Sequence, residues 1–179
     1  LPPEPLFRST ARTMMPRVTI ITVVRNDKQH IRETILSALA QTDVEVQYLM
    51  LDGASTDGTA EIIRSFEGQL AYWHSLPDRG MYDAMNQAIK MADGDWISIL
   101  NSGDTYVSST SLFDAIAQAD SESSIIFGHS IEVNPEWDHE IRALPDTSLL
   151  RFAPTFRHGS ALIRSEVHKA HLFDLSQEK

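Results

Sequence analysis

Between residues 17 and 127 the chain alternates, four times over, between a short apolar run and a segment of helical period. That order constrains the fold more than any bulk property. With short connections, each new strand is reached by a crossover through a helix, which demands mainly parallel pairing. The fold class expected is therefore α/β: a mainly parallel sheet flanked by helices, with a smaller irregular C-terminal part.

The run Arg17–Val24 (RVTIITVV) is apolar nearly throughout, as a strand covered on both faces must be. Arg25-Asn26-Asp27 ends it, and Asp27 is placed to cap a helix whose apolar face holds Ile31, Ile35, Ala38 and Leu39. A second strand over 45–51 runs into Asp52-Gly53-Ala54-Ser55-Thr56-Asp57-Gly58-Thr59. There Asp57 caps a short helix with Ile62, Ile63 and Phe66 inward, and Gly68 ends it. Residues 70–74 form a third strand. After the turn Pro77-Asp78-Arg79-Gly80, the residues Met81, Ala84, Met85, Ala88 and Ala92 recur at helical spacing, with Gly94 as a stop. The methionines read as packing, not as a cofactor box. Residues 96–100 are a buried strand, 111–119 an amphipathic helix and 124–127 another strand.

Beyond Gly128 the periodicity fades. Residues 130–133 alternate like an edge or hairpin strand, 136–154 read as loop with a short strand, and 160–164 as a final strand. Ser165 is expected to cap a last short helix. The domain spans 17–179. Residues 1–16, with no apolar core, read as a flexible leader and not as a secretory signal.

Polar clusters arrive at the carboxyl ends of successive strands: Arg25-Asn26, Asp52-Gly53, Asp78-Arg79 and Asn101 to Asp104. In a parallel sheet these lie along one rim, where ligands of wound α/β folds collect. Each alone is consistent with a turn whose side chains bond their own backbone. Together they make a site. Asp104, on a glycine-containing loop, suits a hard divalent cation shared with phosphate oxygens. Arginine offers a rigid fork to phosphate or carboxylate, and a carboxylate after the second strand suits hydroxyl or imide donors of a nucleoside.

Other chemistries lack their signatures. No cysteine is present, so disulfides, thiol nucleophiles and cysteine zinc sites are excluded. A formal net charge of −10 argues against general nucleic-acid binding. No run of ~18 apolar residues spans a membrane. GxGxxG after the first strand, GxxxxGK[ST], GxSxG and HExxH are all missing. His129, His139, His158, His168 and His171 crowd the last third without a zinc spacing. His158, before Gly159-Ser160 at a strand start, is the one expected to face the cleft.

Four segments in this order, VTIITVVRN, LDGASTDGT, DRGMYDAMN and LNSGD, resemble family 2 glycosyltransferases of the GT-A (Rossmann-related) fold, closest to the bacterial branch that builds exopolysaccharide or O-antigen chains. The resemblance implies transfer of a sugar from a nucleotide-diphosphate donor to a saccharide or polyprenyl-linked acceptor hydroxyl, with inversion. It implies nucleotide-sugar contacts at Val23, Arg25, Asp52, Asp78, Arg79 and Asn101, and a Mn2+ or Mg2+ ion at Asp104. Asp52 matches the acid that holds the nucleoside, and Asp78-Arg79 the loop against the donor. It further implies a cytoplasmic enzyme, at most peripherally bound at the inner membrane face, with a homo-oligomer open. This chain departs from relatives at Arg25 (often tyrosine), Gly53 (often a second acid), Met85 (often arginine), and Asn101 and Gly103 (often aspartates). Relatives continue past the segment corresponding to 172–174 into a region bearing the general base, which no residue here matches. The alternative is a nucleotide-sugar binding protein or inactive fragment lacking that base. A sugar nucleotidyltransferase would show a Gly-rich basic loop at 23–27, which is absent.

Overall fold

After Arg17, every residue of β1 (Arg17–Val24) is buried, and its alternation sorts the chain into two layers. The computed structural model describes residues 15–134, 137–144 and 157–177. Val18, Ile20 and Val24 face α1 (Ile31–Leu39), α2 (Thr59–Arg64) and α4 (Ser111–Ile116) through Ile31, Ile35, Ala38, Ile63 and Leu112. Ile21 and Val23 face the opposite layer, where Ala84, Met85, Ala88 and Ile89 of α3 (Met81–Met91) cover them. Full burial of each such isoleucine contributes about 2 kcal/mol. The two threonines that interrupt the strand are satisfied inside the core. The Thr22 hydroxyl donates to the Leu100 carbonyl at 2.8 Å, and that of Thr19 to Gln47 Oε1 at 2.6 Å.

β1 is flanked by β2 (Glu45–Asp52) and β4 (Trp96–Ile99), both parallel to it, and β3 (Tyr72–Ser75) extends the sheet beyond β2. The full order is β3-β2-β1-β4-β8-β5, with β5 (Ile125–Phe127) at the far edge and β8 (Ala161–Arg164) antiparallel to both of its neighbours. The chain runs outward from β1 to β3, then returns through α3 to β4 on the other side. The strand order therefore reverses between β1 and β4, which opens a crevice beyond their carboxyl ends. Nothing in the apolar pattern foretells an antiparallel strand entering between β4 and β5, because pairing direction leaves no periodic mark. The rest of the C-terminal part is a hairpin, β6 (Ser130–Asn134) with β7 (Trp137–Ile141), and the short α5 (Ser165–Ala170). The expected 136–154 loop lies only partly within the described residues, and β7 is the short strand within it.

Several local expectations need correction. Asp27 does not cap α1, which begins four residues later. Its carboxylate meets the His30 ring at 2.6 Å, and its carbonyl accepts the Ile31 amide. Ser165 is the first residue of α5 instead of its cap; its hydroxyl donates to the Gly94 carbonyl. Gly94 does more than stop a helix. A Cβ there would stand 2.6 Å from the Thr19 amide nitrogen, so only glycine lets this turn cross β1. Met81 is exposed, and the buried face of α3 is carried by the residues from Asp83 to Ile89 instead.

Candidate donor-binding site

The carboxyl ends of β1 and β2 are laced together. Asn26, in the left-handed region at φ 55, donates its amide to Ser55 Oγ at 2.7 Å and accepts the Thr56 amide at 2.8 Å. The Asp27 amide donates to Thr59 Oγ1, and the Lys28 amide to Asp57 Oδ2 at 2.9 Å. Asp57 also accepts the Thr59 amide and hydroxyl, but it is not the cap the sequence suggests: Gly58 caps α2, and Asp57 stands one residue before it, tying down the neighbouring loop. These bonds, the Thr59 hydroxyl foremost, hold its carboxyl down at about 2.

Asp52 is the innermost member. It is 0% exposed, and its carboxylate accepts the Ser55 amide at 3.0 Å, the Ser55 hydroxyl, and the Ser75 hydroxyl at 2.5 Å. It therefore builds the floor of the β2 tip. Val23 lies in the α3-side apolar layer, paired in register with Leu51.

Above that floor two side chains meet. A Cβ built on Gly53 would stand 2.8 Å from Asp78 Oδ2 and 3.5 Å from Arg25 Cδ. The β1 tip and the β3–α3 loop thus close over a residue that has no side chain. Asp78 Oδ1 accepts the Gly80 amide at 2.9 Å, and Gly80 sits at φ 123, where only glycine is unstrained. Arg79 turns back onto α3, meeting Asp83 through Nη2 at 2.8 Å and Nε at 3.3 Å. That guanidinium, against the opposing effect of burial, holds the Asp83 carboxyl below its ordinary range.

The β4 tip forms a second cluster. The Asp104 amide donates to the Asn101 carbonyl at 3.0 Å, closing a tight turn, and Asn101 Nδ2 lies 3.4 Å from Asp104 Oδ2. Thr34, 0% exposed on α1, braces this turn from beneath. Its hydroxyl accepts the Gly103 amide at 2.9 Å and donates to the Asp104 carbonyl at 3.0 Å. The Asp104 residue is exposed, and a Cβ on Gly159 would stand 3.3 Å from its Oδ2. Gly159 belongs to the short 3-10 turn 158–160 that enters β8. Burial raises the Asp27 carboxyl, but the polar Ser102 side chain nearby and the His30 ring outweigh this and hold it below the ordinary range.

His158 begins the short turn that carries Gly159, beside this cluster. Its half-buried ring packs 5.5 Å from Phe173 and 6.4 Å from His168. Among the described residues, no three of the types His, Cys, Asp and Glu converge to hold a metal. The donor set does fit a Mg2+ or Mn2+ ion held by one carboxylate, since such ions take most of their ligands from substrate phosphates and water. Thr34, Ser75 and Gly159 went unnoticed in the sequence. A lone threonine on an apolar helix face was the only signal for the first, and the others act across 23 or more residues.

An exposed carboxylate on a braced turn thus stands beside the point where a wound parallel sheet reverses its order, the place where ligands of such folds bind. Solved structures identify the fold. The chain aligns with a mannosyltransferase of Pyrobaculum calidifontis, solved with GDP-Man and Mn2+, at TM-score 0.70 and 21% identity, covering 90% of this chain and 48% of that one. It aligns with S. aureus TarS, solved with UDP-GlcNAc, at TM-score 0.69 and 20% identity, covering 88% and 48%. The fold is GT-A. The model of glycosyl transferase family 2 matches residues 19–172, and the chain belongs to that family. Among curated relatives, a Mycobacterium tuberculosis glycosyltransferase is 37% identical over 60% of this chain and 40% of its own length. The succinoglycan biosynthesis protein ExoO of Rhizobium meliloti is 30% identical over 85% of this chain and 45% of its own length. The chain thus spans about half, or less, of the relatives named here.

Proposed function

We propose that this chain carries the donor-binding part of a glycosyltransferase that moves a sugar from a nucleotide diphosphate to an acceptor hydroxyl, with inversion. The acceptor class is a saccharide or a lipid-linked saccharide, in the synthesis of a surface polysaccharide. The observation that carries this is the braced Asn101–Asp104 turn, which presents one exposed carboxylate at the reversal of the sheet. Asp104 would hold Mn2+ or Mg2+. When bound, such an ion would supply Lewis-acid stabilisation of the charge on a departing diphosphate. The protein's own share is positional. Thr34 fixes the turn, and Gly159 leaves room beside the Asp104 carboxylate. Asn101, the first residue of that turn, would face the donor sugar, and Arg79 would border the donor from the β3–α3 loop. No helix among the described residues is long and apolar enough to cross a membrane.

The test is calorimetry with UDP and GDP, with and without Mn2+, on the wild-type chain and Asp104→Ala. The expected outcome is metal-dependent binding that Asp104→Ala weakens at least ~10-fold, the loss of a charge-assisted contact. Equal affinity of the two proteins in Mn2+ would remove the metal from Asp104. Release of free UDP or GDP from the matching nucleotide sugar then reports turnover.

A further inference from the structure

We propose that Asp78, and not Asp52, reads the nucleobase, and that the base is one carrying a ring N–H on its pairing edge, uracil or guanine. The inference rests on the nucleotide-sugar reading above and specifies which nucleotide. Asp52 has no surface to offer: it is 0% exposed, and its oxygens are taken by Ser55 and Ser75. At Gly53, the next residue along, the chain has no side chain at all. Asp78 fills that position from another loop, with Oδ2 2.8 Å from where a Gly53 Cβ would stand. The carboxylate is also oriented. Oδ1 is engaged by the Gly80 amide, while Oδ2 has no hydrogen-bond partner among the described residues. The stem of Arg25, 3.5 Å from the same Gly53 position, forms the other side of the slot. Its exposed guanidinium offers a flat face for a base to stack on.

A single carboxylate oxygen without a partner is acceptor-only. Uracil N3–H and guanine N1–H donate to it. Cytosine N3 and adenine N1 present lone pairs that repel it at that position, leaving those bases only an exocyclic amino donor to the side, so the slot disfavours them without excluding contact. The glycine is part of the device, because any Cβ at position 53 would push the Asp78 carboxylate out of line.

The experiment is calorimetry in Mn2+ with UDP, GDP, CDP and ADP. It adds the N-methylated form of whichever of UDP and GDP binds tighter, N3-methyl-UDP or N1-methyl-GDP. The wild-type chain is expected to bind UDP or GDP about 10- to 100-fold more tightly than CDP and ADP, and methylation to erase that margin. UDP against GDP then tells which base is read. Asp78→Ala and Gly53→Ala are expected to flatten the preference. Asp78→Asn, whose one oxygen stays on the Gly80 amide while the free atom becomes an amino donor, is expected to preserve the loop and lose the preference. Thermal unfolding of each variant identifies any that fail to fold. Binding without base preference, a preference untouched by methylation, or one surviving in folded Asp78→Ala overturns the assignment and leaves the donor site standing. Absence of nucleotide binding altogether overturns both.

Discussion

Asn86 and Phe173 face each other as paired strand residues do. The Asn86 amide donates to the Phe173 carbonyl and accepts the Phe173 amide, both at 2.9 Å, although 87 residues separate them. Asn86 is 6% exposed on α3, and both bonds of this clamp are partly buried. It sets the Phe173 ring 5.1 Å from Tyr82, 5.5 Å from His158 and 5.6 Å from His168. The segment after α5 is thereby fastened beside the turn that carries Gly159.

Asn86→Ala is expected to lower stability by about 1–3 kcal/mol, because it leaves two buried backbone groups of Phe173 unpaired. Urea unfolding measures the loss. Hydrogen exchange should place it locally, with the Phe173 amide deprotected while β1 amides keep their protection. Unchanged exchange at Phe173 would mean that the clamp does not hold in solution.

Thr34→Val tests the brace beneath the Asp104 turn. The substitution keeps shape and removes the hydroxyl that serves both Gly103 and Asp104. A stability loss of about 1–2 kcal/mol is expected, together with weaker Mn2+-dependent nucleotide binding. Thr34→Ser should restore both. If binding is untouched while stability falls, the turn does not depend on Thr34 for its placement.

Most of the sheet was legible before any coordinates, and the reason is physical. Strands covered on both faces must be apolar for their whole length, so 17–24 and 96–100 stand out from the polar tips that follow them. The four tips were legible for the same reason. What each tip residue does was not. Asp52 and Asp78 look alike as acids after strands, and only Ser75, 23 residues beyond Asp52, decides that the first is sealed inside. Gly53 reads as a lost acid, until the fold brings Asp78 to within reach of the same place. The entry of β8 between β4 and β5 was equally silent, since β8 carries an apolar run that would suit either direction.

Asp52→Ala is expected to cost on the order of 3 kcal/mol, since the Ser55 and Ser75 donors lose a buried charged partner. Asp52→Asn separates a structural role from a contact role. It keeps the shape and one acceptor, so nucleotide affinity in Mn2+ should stay within a few-fold of wild type. A large affinity loss in a folded Asp52→Asn protein would return the nucleoside contact to this residue.

His168 gives the fold a dependence on mild acid. It is 5% exposed, and burial holds its imidazole below the ordinary value of 6.5. Burial and the His168 ring do the same to His158. With the folded value depressed, the unfolded chain takes up the proton more readily. Stability is therefore whole above about 6.5 and falls as pH drops from there through the folded value. The urea midpoint should decline between about pH 7.5 and about pH 5.5, and decline less in His168→Leu, which removes one of the two groups. Parallel declines in the two proteins would show that the ring is solvated when folded, and that the cluster around Phe173 opens more readily than its packing implies.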